Sequence, residues 1–393
     1  MSTLHVLFMP SWYYTDDSPA AGIFFTQQAL ALQRLGVKVG FIYPELRSVR
    51  DLRMGALAGS VFVPRIHPNP AGFPEVRLKG WAFRHIRPWV SAWAAKVLLK
   101  NYIKQFGRPH LVHAHSAVWA GFATSFLPLS YVLTEHWSGY WRGHLKAWER
   151  PLVQRALRRA QARLAVSSAL AEDMRPFVGD LPIEVVPNLV DTELFSPTPE
   201  RPVFPPFRLV AVASLIKHKG VDTVIQATAY LVREGWDVML DIVGDGPERV
   251  SLESLAKNLG VEGRVRFWGS LPSKDLVRVI HASHLFVLPS EYETFGVVYI
   301  EAMACGLPVV ATERGGPRDF VTSEVGRLVP PRKPEVLAVV IKEIMDNYHL
   351  FDPRRIRERV VQNFSAVVVG RKILDVYEKV LGGPLNSSSD QET

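Results

Sequence analysis

Two glutamates, Glu293 and Glu301, bracket a Phe295–Gly296 pair in the stretch EYETFGVVYIEAMACGLPVVAT, residues 291–312. The run LFVLPS before it reads as a strand. A loop then carries the first carboxylate, and a helix starts near Gly296. A helix start offers unpaired backbone N–H groups and the positive end of a dipole, which suits a phosphate. Glu301 lies about one and a half turns further along. A carboxylate there can accept two hydrogen bonds from a ribose diol. The plainer reading is two solvated charges beside a helix, and any isolated pair of glutamates would be read that way.

Several other segments carry chemistry-bearing types. Lys219 stands in HKGVDTVIQA (218–227). LDIVGDGPE (240–248) is a strand that ends in a glycine turn at Gly244 and Gly246, and GGPRDF (315–320) is a second tight turn containing Gly316 and Arg318. Nearer the N-terminus, Gly22 sits at a loop-to-helix junction. HAHS (113–116) and TEHWSG (134–139) supply three histidines. His113 and His115 are read as structural, because no third metal ligand stands at a convincing spacing. No Asp-x-Asp pair is present to bridge a metal to a diphosphate. The charge must then be met by Lys, Arg and helix ends, and no cofactor is implied.

The elements that would position these residues alternate between strand and helix. Leu4–Met9 is an apolar run, followed by a helical pattern over IFFTQQALALQRLG with Ile23, Leu30 and Leu35 among its apolar positions, and then the strand VKVGFIY. This β-α-β start predicts a parallel sheet covered by helices on both faces. Further strands are expected at Leu111–His113, Tyr131–Glu135, Leu164–Ser167 and Ile183–Val186. A fresh start appears at FRLVAVASL near residue 207, continued by VMLDIVGDG, VRFWG, LFVLPS and LPVVAT with helices between. Before it, SPTPERPVFPPF has five prolines in twelve residues and reads as a linker. The expected division is residues 1–196, a linker at 197–206, a second domain at 207–365, a C-terminal helix at 366–382 that could cross back to the first domain, and a disordered tail at 383–393. Ligands in doubly wound sheets sit at the carboxyl ends of the strands.

The Glu293–Glu301 segment closely resembles the signature of the large retaining glycosyltransferase family numbered four. PNLVDTELF (187–195) is similar to that family's Pro-Asn-Gly-Val-Asp segment, with Leu189 in place of the glycine. The 240–248 and 315–320 turns, Lys219, Gly22 and TEHWSG also resemble family segments. The resemblance is densest from 187 to 330 and thin between 45 and 105. It implies a GT-B fold: α/β, two doubly wound Rossmann-like domains facing across a cleft. It implies catalytic roles for His136, Glu293 and Lys219, with His136 beside the reacting sugar. Donor contacts are implied at Gly22, Gly244, Gly246, Phe295, Gly296, Val297, Glu301, Gly316 and Arg318. One departure stands out. The family usually carries Gly-Arg-Leu before the lysine, whereas this chain has Ala213-Ser214-Leu215. Lys217, Arg314 or Arg318 are the candidates to replace the missing cation.

The charge is unevenly spread. Residues 1–200 hold 22 Lys and Arg against 14 Asp and Glu, and residues 201–393 hold 24 of each. Eight of the ten tryptophans lie in the first half. From Val76 to Thr134, 59 residues contain no acid. Within that stretch Trp81, Phe83, Trp89, Trp93 and Tyr102 are interleaved with basic residues. After Pro88 the pattern is helical, with Val90, Ala94, Val97 and Leu98 on an apolar face and Lys96, Lys100 and Lys104 every four residues. The segment Arg77–Trp89 has no clean period. Basic stems among aromatic rings suit an anionic membrane surface or a lipid-linked acceptor. No nucleic-acid recognition motif accompanies the charge, so nucleic acid is not expected as a partner.

No run of eighteen apolar residues exists, the start MSTLHVLFMPSW lacks signal-peptide features, and Cys305 is the single cysteine. The expected location is cytoplasmic, peripheral on the inner face of the membrane. The expected partners are a nucleotide-sugar donor, a glycan or lipid-linked acceptor, and an anionic membrane surface. The alternative is a non-catalytic nucleotide-sugar-binding or membrane-docked partner protein with the same fold.

Overall fold

The structure is a computed structural model, and it describes residues 3–15, 21–48, 61–141, 143, 145–198 and 202–383. It divides into two compact units.

The first unit is built on a sheet whose strands are β1 (His5–Pro10), β2 (Lys38–Ser48), β3 (Pro64–Ile66), β4 (Glu75–Ala82), β5 (Leu111–His115), β6 (Tyr131–Glu135), β7 (Ala162–Ala165) and β8 (Glu184–Val185). Their order is β3-β4-β2-β1-β5-β6-β7-β8, all parallel except for the antiparallel pairing of β3 with β4. The central strands β1, β5 and β6 are buried at every position, as expected of a parallel sheet covered on both faces. The helix Ile23–Arg34 returns the chain from β1 to β2. Its packed face is Phe25, Gln28, Ala29, Ala31 and Leu32. Ile23 and Leu30, which the sequence pattern put among the apolar positions, are exposed. Phe25 directs the choice: its ring packs at a tilt against His115 and Trp12 at the carboxyl end of the sheet.

The thinly patterned stretch from 45 to 105 contains β3, β4 and the helix Arg87–Phe106. The helix buries Ala94, Ala95, Leu98, Leu99 and Tyr102. Val90 and Val97 are only half-buried, while Lys96, Lys100 and Lys104 are exposed. Arg77 corrects the aperiodic reading of 77–89. It lies on β4, 4% exposed, with Glu75 at 2.6 Å and Glu45 at 3.3 Å. The rings of Tyr13, Tyr14 and Tyr43 surround its guanidinium. Arg77 therefore cannot meet a membrane surface. Its partners both lie outside the acid-free window, Glu75 directly before it and Glu45 on the neighbouring strand β2, 32 residues upstream.

The second unit holds β9 (Phe207–Val212), β10 (Val238–Val243), β11 (Val265–Gly269), β12 (Leu285–Leu288), β13 (Val309–Thr312) and β14 (Gly326–Val329). The order is β11-β10-β9-β12-β13-β14, and every pair is parallel. This is a doubly wound sheet, with the order reversing at β9. The last strand, β14, has no counterpart among the sequence-predicted elements.

The chain passes from the first unit to the second at Pro187–Asn188, ahead of the proline-rich stretch, and returns at Val368–Val369. The returning segment is the helix Ala366–Leu381, which buries Val369, Ile373 and Tyr377. The tyrosine hydroxyl lies 2.6 Å from His113 Nδ1 within the first unit. Positions 199–201 of the predicted linker and 384–393 of the predicted tail lie outside the described residues.

Candidate functional site

In the second unit the site residues collect at the carboxyl ends of β9, β10 and β12. The chain leaves β12 through Pro289 and Ser290 into the Glu293 loop, then enters the helix Val297–Ala304. Gly296 precedes that helix with φ 90°, a conformation L side chains rarely adopt. A Cβ there would also lie 2.4 Å from the Tyr299 ring. The Phe295 side chain is not available to a ligand, which leaves its backbone as the part that could meet a donor. The ring is buried in a cluster with Phe320 and Phe364 and pins the loop to the core. Gly296, Val297 and Val298 remain partly exposed at the helix start.

Glu293 and Lys219 are brought together. Lys219 Nζ donates to Glu293 Oε1 at 2.8 Å, and Ser290 Oγ donates to the same oxygen at 2.8 Å. Glu293 is buried, whereas the lysine side chain is about a quarter exposed, at 23%. The two groups assigned to separate parts of a ligand are thus one ion pair in the free protein. Ser290 carries no sequence signal of its own. It is found only because the turn after β12 folds it back onto the loop.

Glu301 lies on the same helix, half-buried. Burial with no compensating cation pushes its carboxyl from 4.5 up to about 7. Such a group is poised to accept donors a ligand would bring.

The glycine turns have bracing roles. Gly316 N–H donates to the Glu293 carbonyl at 2.8 Å, so this amide is already engaged and does not face a ligand. Gly315 and Glu293 form a bridge, which clamps the Glu293 loop from below. Gly244 has φ 131°, and a Cβ there would lie 1.8 Å from the Ala213 carbonyl. Gly246 approaches the Leu215 carbonyl in the same way. The Gly244–Gly246 turn therefore packs directly on the Ala213-Ser214-Leu215 segment, where the family arginine is absent. Ser214 itself is exposed, as are Lys217, Arg314 and Arg318.

In the first unit Gly22 caps the helix Ile23–Arg34 at φ 70°. His136 follows β6 and is 8% exposed. Its Nε2 lies 3.2 Å from His115 Nδ1, and its ring packs against Phe24 and Phe25. Its Nδ1 has no partner. Burial lowers His136 to about 3, so the imidazole is neutral and acts as a hydrogen-bonding group rather than a cation. Glu135 orients the segment. Its carboxylate accepts from the backbone N–H groups of Ala117, His136 and Trp137 and from the Tyr140 hydroxyl. Sequence reasoning quoted this residue without a role. His113 is satisfied by Tyr377 and Thr134.

Two parallel α/β units, one with a Lys–Glu pair beside a glycine-capped helix start, define the GT-B class of fold. Residues 202–364 match the family model described as glycosyl transferases group 1, and residues 21–194 match that described as glycosyltransferase family 4. Together the two models span most of the chain, which belongs to the glycosyltransferases they describe. Over 201 residues it is 28% identical to the phosphatidylinositol N-acetylglucosaminyltransferase gpi3 subunit of Schizosaccharomyces pombe. The match covers 50% of this chain and 44% of that protein, so the chain spans less than half of this relative. Sucrose-phosphate synthase from Thermosynechococcus elongatus superposes with a TM-score of 0.75 at 21% identity, covering 96% of this chain and 99% of that one. The Anabaena protein HepE in complex with UDP-glucose superposes at 0.72 with 19% identity, covering 96% and 100%. At these identities the likeness is one of fold.

Proposed function

We propose that the chain is a retaining, metal-independent glycosyltransferase that moves a sugar from a nucleotide-sugar donor to a lipid-linked or glycan acceptor at the cytoplasmic membrane face. The observation that carries the reading is the Lys219–Glu293 pair set beside the Gly296 helix start, with Glu301 on the next turns of the same helix. The HepE complex with UDP-glucose, of the same fold, supports a nucleotide-sugar donor.

In this reading the diphosphate lies at the helix start and draws Lys219 toward it. Glu301 accepts the ribose hydroxyls, and Glu293, released from the lysine, accepts sugar hydroxyls. The acceptor hydroxyl attacks on the face the nucleotide leaves, and the departing phosphate takes its proton. No protein nucleophile is needed. The protein positions the reactants and stabilises charge on the leaving group. Neutral His136 would hydrogen-bond near the reacting carbon.

The membrane part rests on the helix Arg87–Phe106 and the turn before it. Phe83, Ile86, Trp89 and Trp93 are exposed, and Trp89 is 58% so. Trp89, Trp93, Lys96 and Lys100 follow helical spacing along one stripe. Exposed tryptophan beside lysine suits a headgroup layer. Among the described residues no helix is long and apolar enough to cross a membrane. Polysaccharide or glycolipid synthesis at the cell surface is the process this would serve.

The test is release of nucleoside diphosphate from a panel of nucleotide-sugars with and without candidate acceptors. Acceptor-dependent release supports the enzyme. Saturable donor binding with no release under any acceptor would turn the reading to a binding protein.

A further inference from the structure

The second unit contains a cavity of about 540 Å³ that none of the residues assigned to the donor lines. It sits on one face of the sheet, where β9, β10 and β11 meet the helix Ser273–His281. The strands supply Arg208, Asp241, Arg266 and Trp268 to it, and the helix supplies Arg278 and Val279. Arg208 is only the second residue of β9, so the cavity reaches the amino half of the strands, away from the Lys219–Glu293 pair at their carboxyl ends.

The charges in this cavity do not balance among themselves. Arg208 is half-buried, and among the described residues its guanidinium has neither an ion pair nor a hydrogen bond; only its backbone N–H is used, donating to His284 Nδ1. Arg266 stands opposite Asp241 where β10 pairs with β11, yet it does not pair with that carboxylate. Its guanidinium lies over the Trp268 ring instead, 3.7 Å from the centroid. The Trp268 indole N–H in turn donates to Asp241 Oδ1 at 2.7 Å, and Asp241 is 7% exposed. The second carboxylate, Asp275, is met by Arg278 at 3.3 Å. Both acids are engaged, which leaves Arg208 and Arg266 with charge to offer. The remaining wall, Pro202, Leu271 and Val279, is apolar.

We infer that this cavity is a second anion site, separate from the donor site, and that it takes the phosphate monoester of a flat aromatic ring. Arg208 meets the phosphate through paired N–H groups, the geometry in which a guanidinium binds it best. Arg278 at the rim adds to the attracting field. The aromatic ring stacks on the outer face of the Arg266 guanidinium, which Trp268 supports from the other side. Pro202, Leu271 and Val279 then cover the ring. A bare phosphate would leave that wall wet, and a neutral ring would leave Arg208 unmet. The volume falls within the range of small-ligand pockets, roughly 300–1,000 Å³. The inference does not depend on the transferase reading, in which none of these residues takes part.

The test titrates the full chain calorimetrically with phenyl phosphate, cyclohexyl phosphate and inorganic phosphate. Phenyl phosphate should bind saturably, about tenfold more tightly than inorganic phosphate. It should also bind about three- to tenfold more tightly than cyclohexyl phosphate, which has the bulk without the flat face. Arg208→Gln should weaken phenyl phosphate by about ten- to a hundredfold, and Arg266→Gln by about three- to tenfold. Arg266 is exposed, so its variant should melt with the parent, which separates lost binding from lost fold. Both variants should leave UDP binding unchanged, and Glu301→Gln should leave phenyl phosphate binding unchanged. Phenyl phosphate binding that falls in both arginine variants, in a protein that neither binds UDP nor transfers sugar, would support this site and remove the transferase reading. Intact UDP binding and transfer with no saturable binding of phenyl phosphate would overturn the site and keep the transferase reading. Phenyl phosphate binding that survives both arginine changes, or that cyclohexyl or inorganic phosphate equals, would also overturn it.

Discussion

If Glu301 belongs to the donor site as proposed, nucleotide binding should depend on pH in a way that one isosteric change abolishes. Its carboxyl is shifted from 4.5 to about 7 by burial alone. The folded pKa is above the unfolded one, so the folded state prefers the protonated form. That preference stabilises the fold fully below about pH 4.5 and is lost as pH rises through about 7. At roughly 1.4 kcal/mol per unit, the loss amounts to about 3 kcal/mol at alkaline pH. Glu301→Gln removes the titration, so the variant should melt higher than the parent at pH 8 and about equally at pH 4.5. Nucleotide binding runs the other way. In the proposed reading ribose hydroxyls donate to the carboxylate, so a ligand must first displace the proton. With a pKa near 7, about nine-tenths of free protein is protonated at pH 6, and affinity should fall about tenfold from pH 8 to pH 6. The assay is calorimetric titration with UDP across pH 5.5–8.5 for parent and variant. Subtracting the variant's profile removes the titration of the phosphates themselves. Glu301→Gln should bind about ten- to a hundredfold more weakly than the parent at pH 8, and the two should converge at low pH. Parallel profiles would refute the placement of Glu301 against the ribose.

Other outcomes follow from the same geometry. Lys219→Ala should cut turnover by about a hundredfold or more while donor affinity changes less, because phosphate charge grows in the transition state; loss of affinity with turnover intact would exclude that role. If Arg314→Ala or Arg318→Ala is comparably damaging to turnover, that residue stands in for the arginine absent at Ser214. Arg77→Gln should destabilise the first unit by about 3–5 kcal/mol in urea titration, since Glu75 and Glu45 are left buried without their cation; a change under about 1 kcal/mol would contradict the pairing. Replacing Arg84, Lys96 and Lys100 with Gln should weaken sedimentation with anionic vesicles by on the order of a hundredfold, at about 1 kcal/mol per cation, and high salt should release the parent. Binding indifferent to lipid charge would remove the membrane surface.

The strand-and-helix alternation of both units is readable in the sequence because parallel strands buried on both faces are continuous Val, Ile and Leu runs. β14 escaped because GRLV is short and carries an arginine. The helix Ile23–Arg34 showed its extent but not its face, since apolar residues surround it and tertiary contact at Phe25 decides which side is buried. In the second unit Glu293 and Glu301 stood out by type and spacing, and Lys219 by the resemblance of its segment. That two of them pair, that Ser290 joins them and that the Gly316 amide is occupied depend on how separate loops meet. Arg77 shows the same limit. Its acidic partners are two and 32 residues away in sequence, and only strand pairing reveals that they enclose it.

The central claim is a retaining transfer. Its most direct measurement is the anomeric configuration of the product, read by the one-bond C1–H1 coupling in NMR. The reaction would use a 13C-labelled α-linked nucleotide-sugar with an acceptor that supports turnover, in the presence of a metal chelator. An α-linked product formed under chelation is the predicted result. A β-linked product, or turnover that stops until a divalent metal is returned, would contradict it.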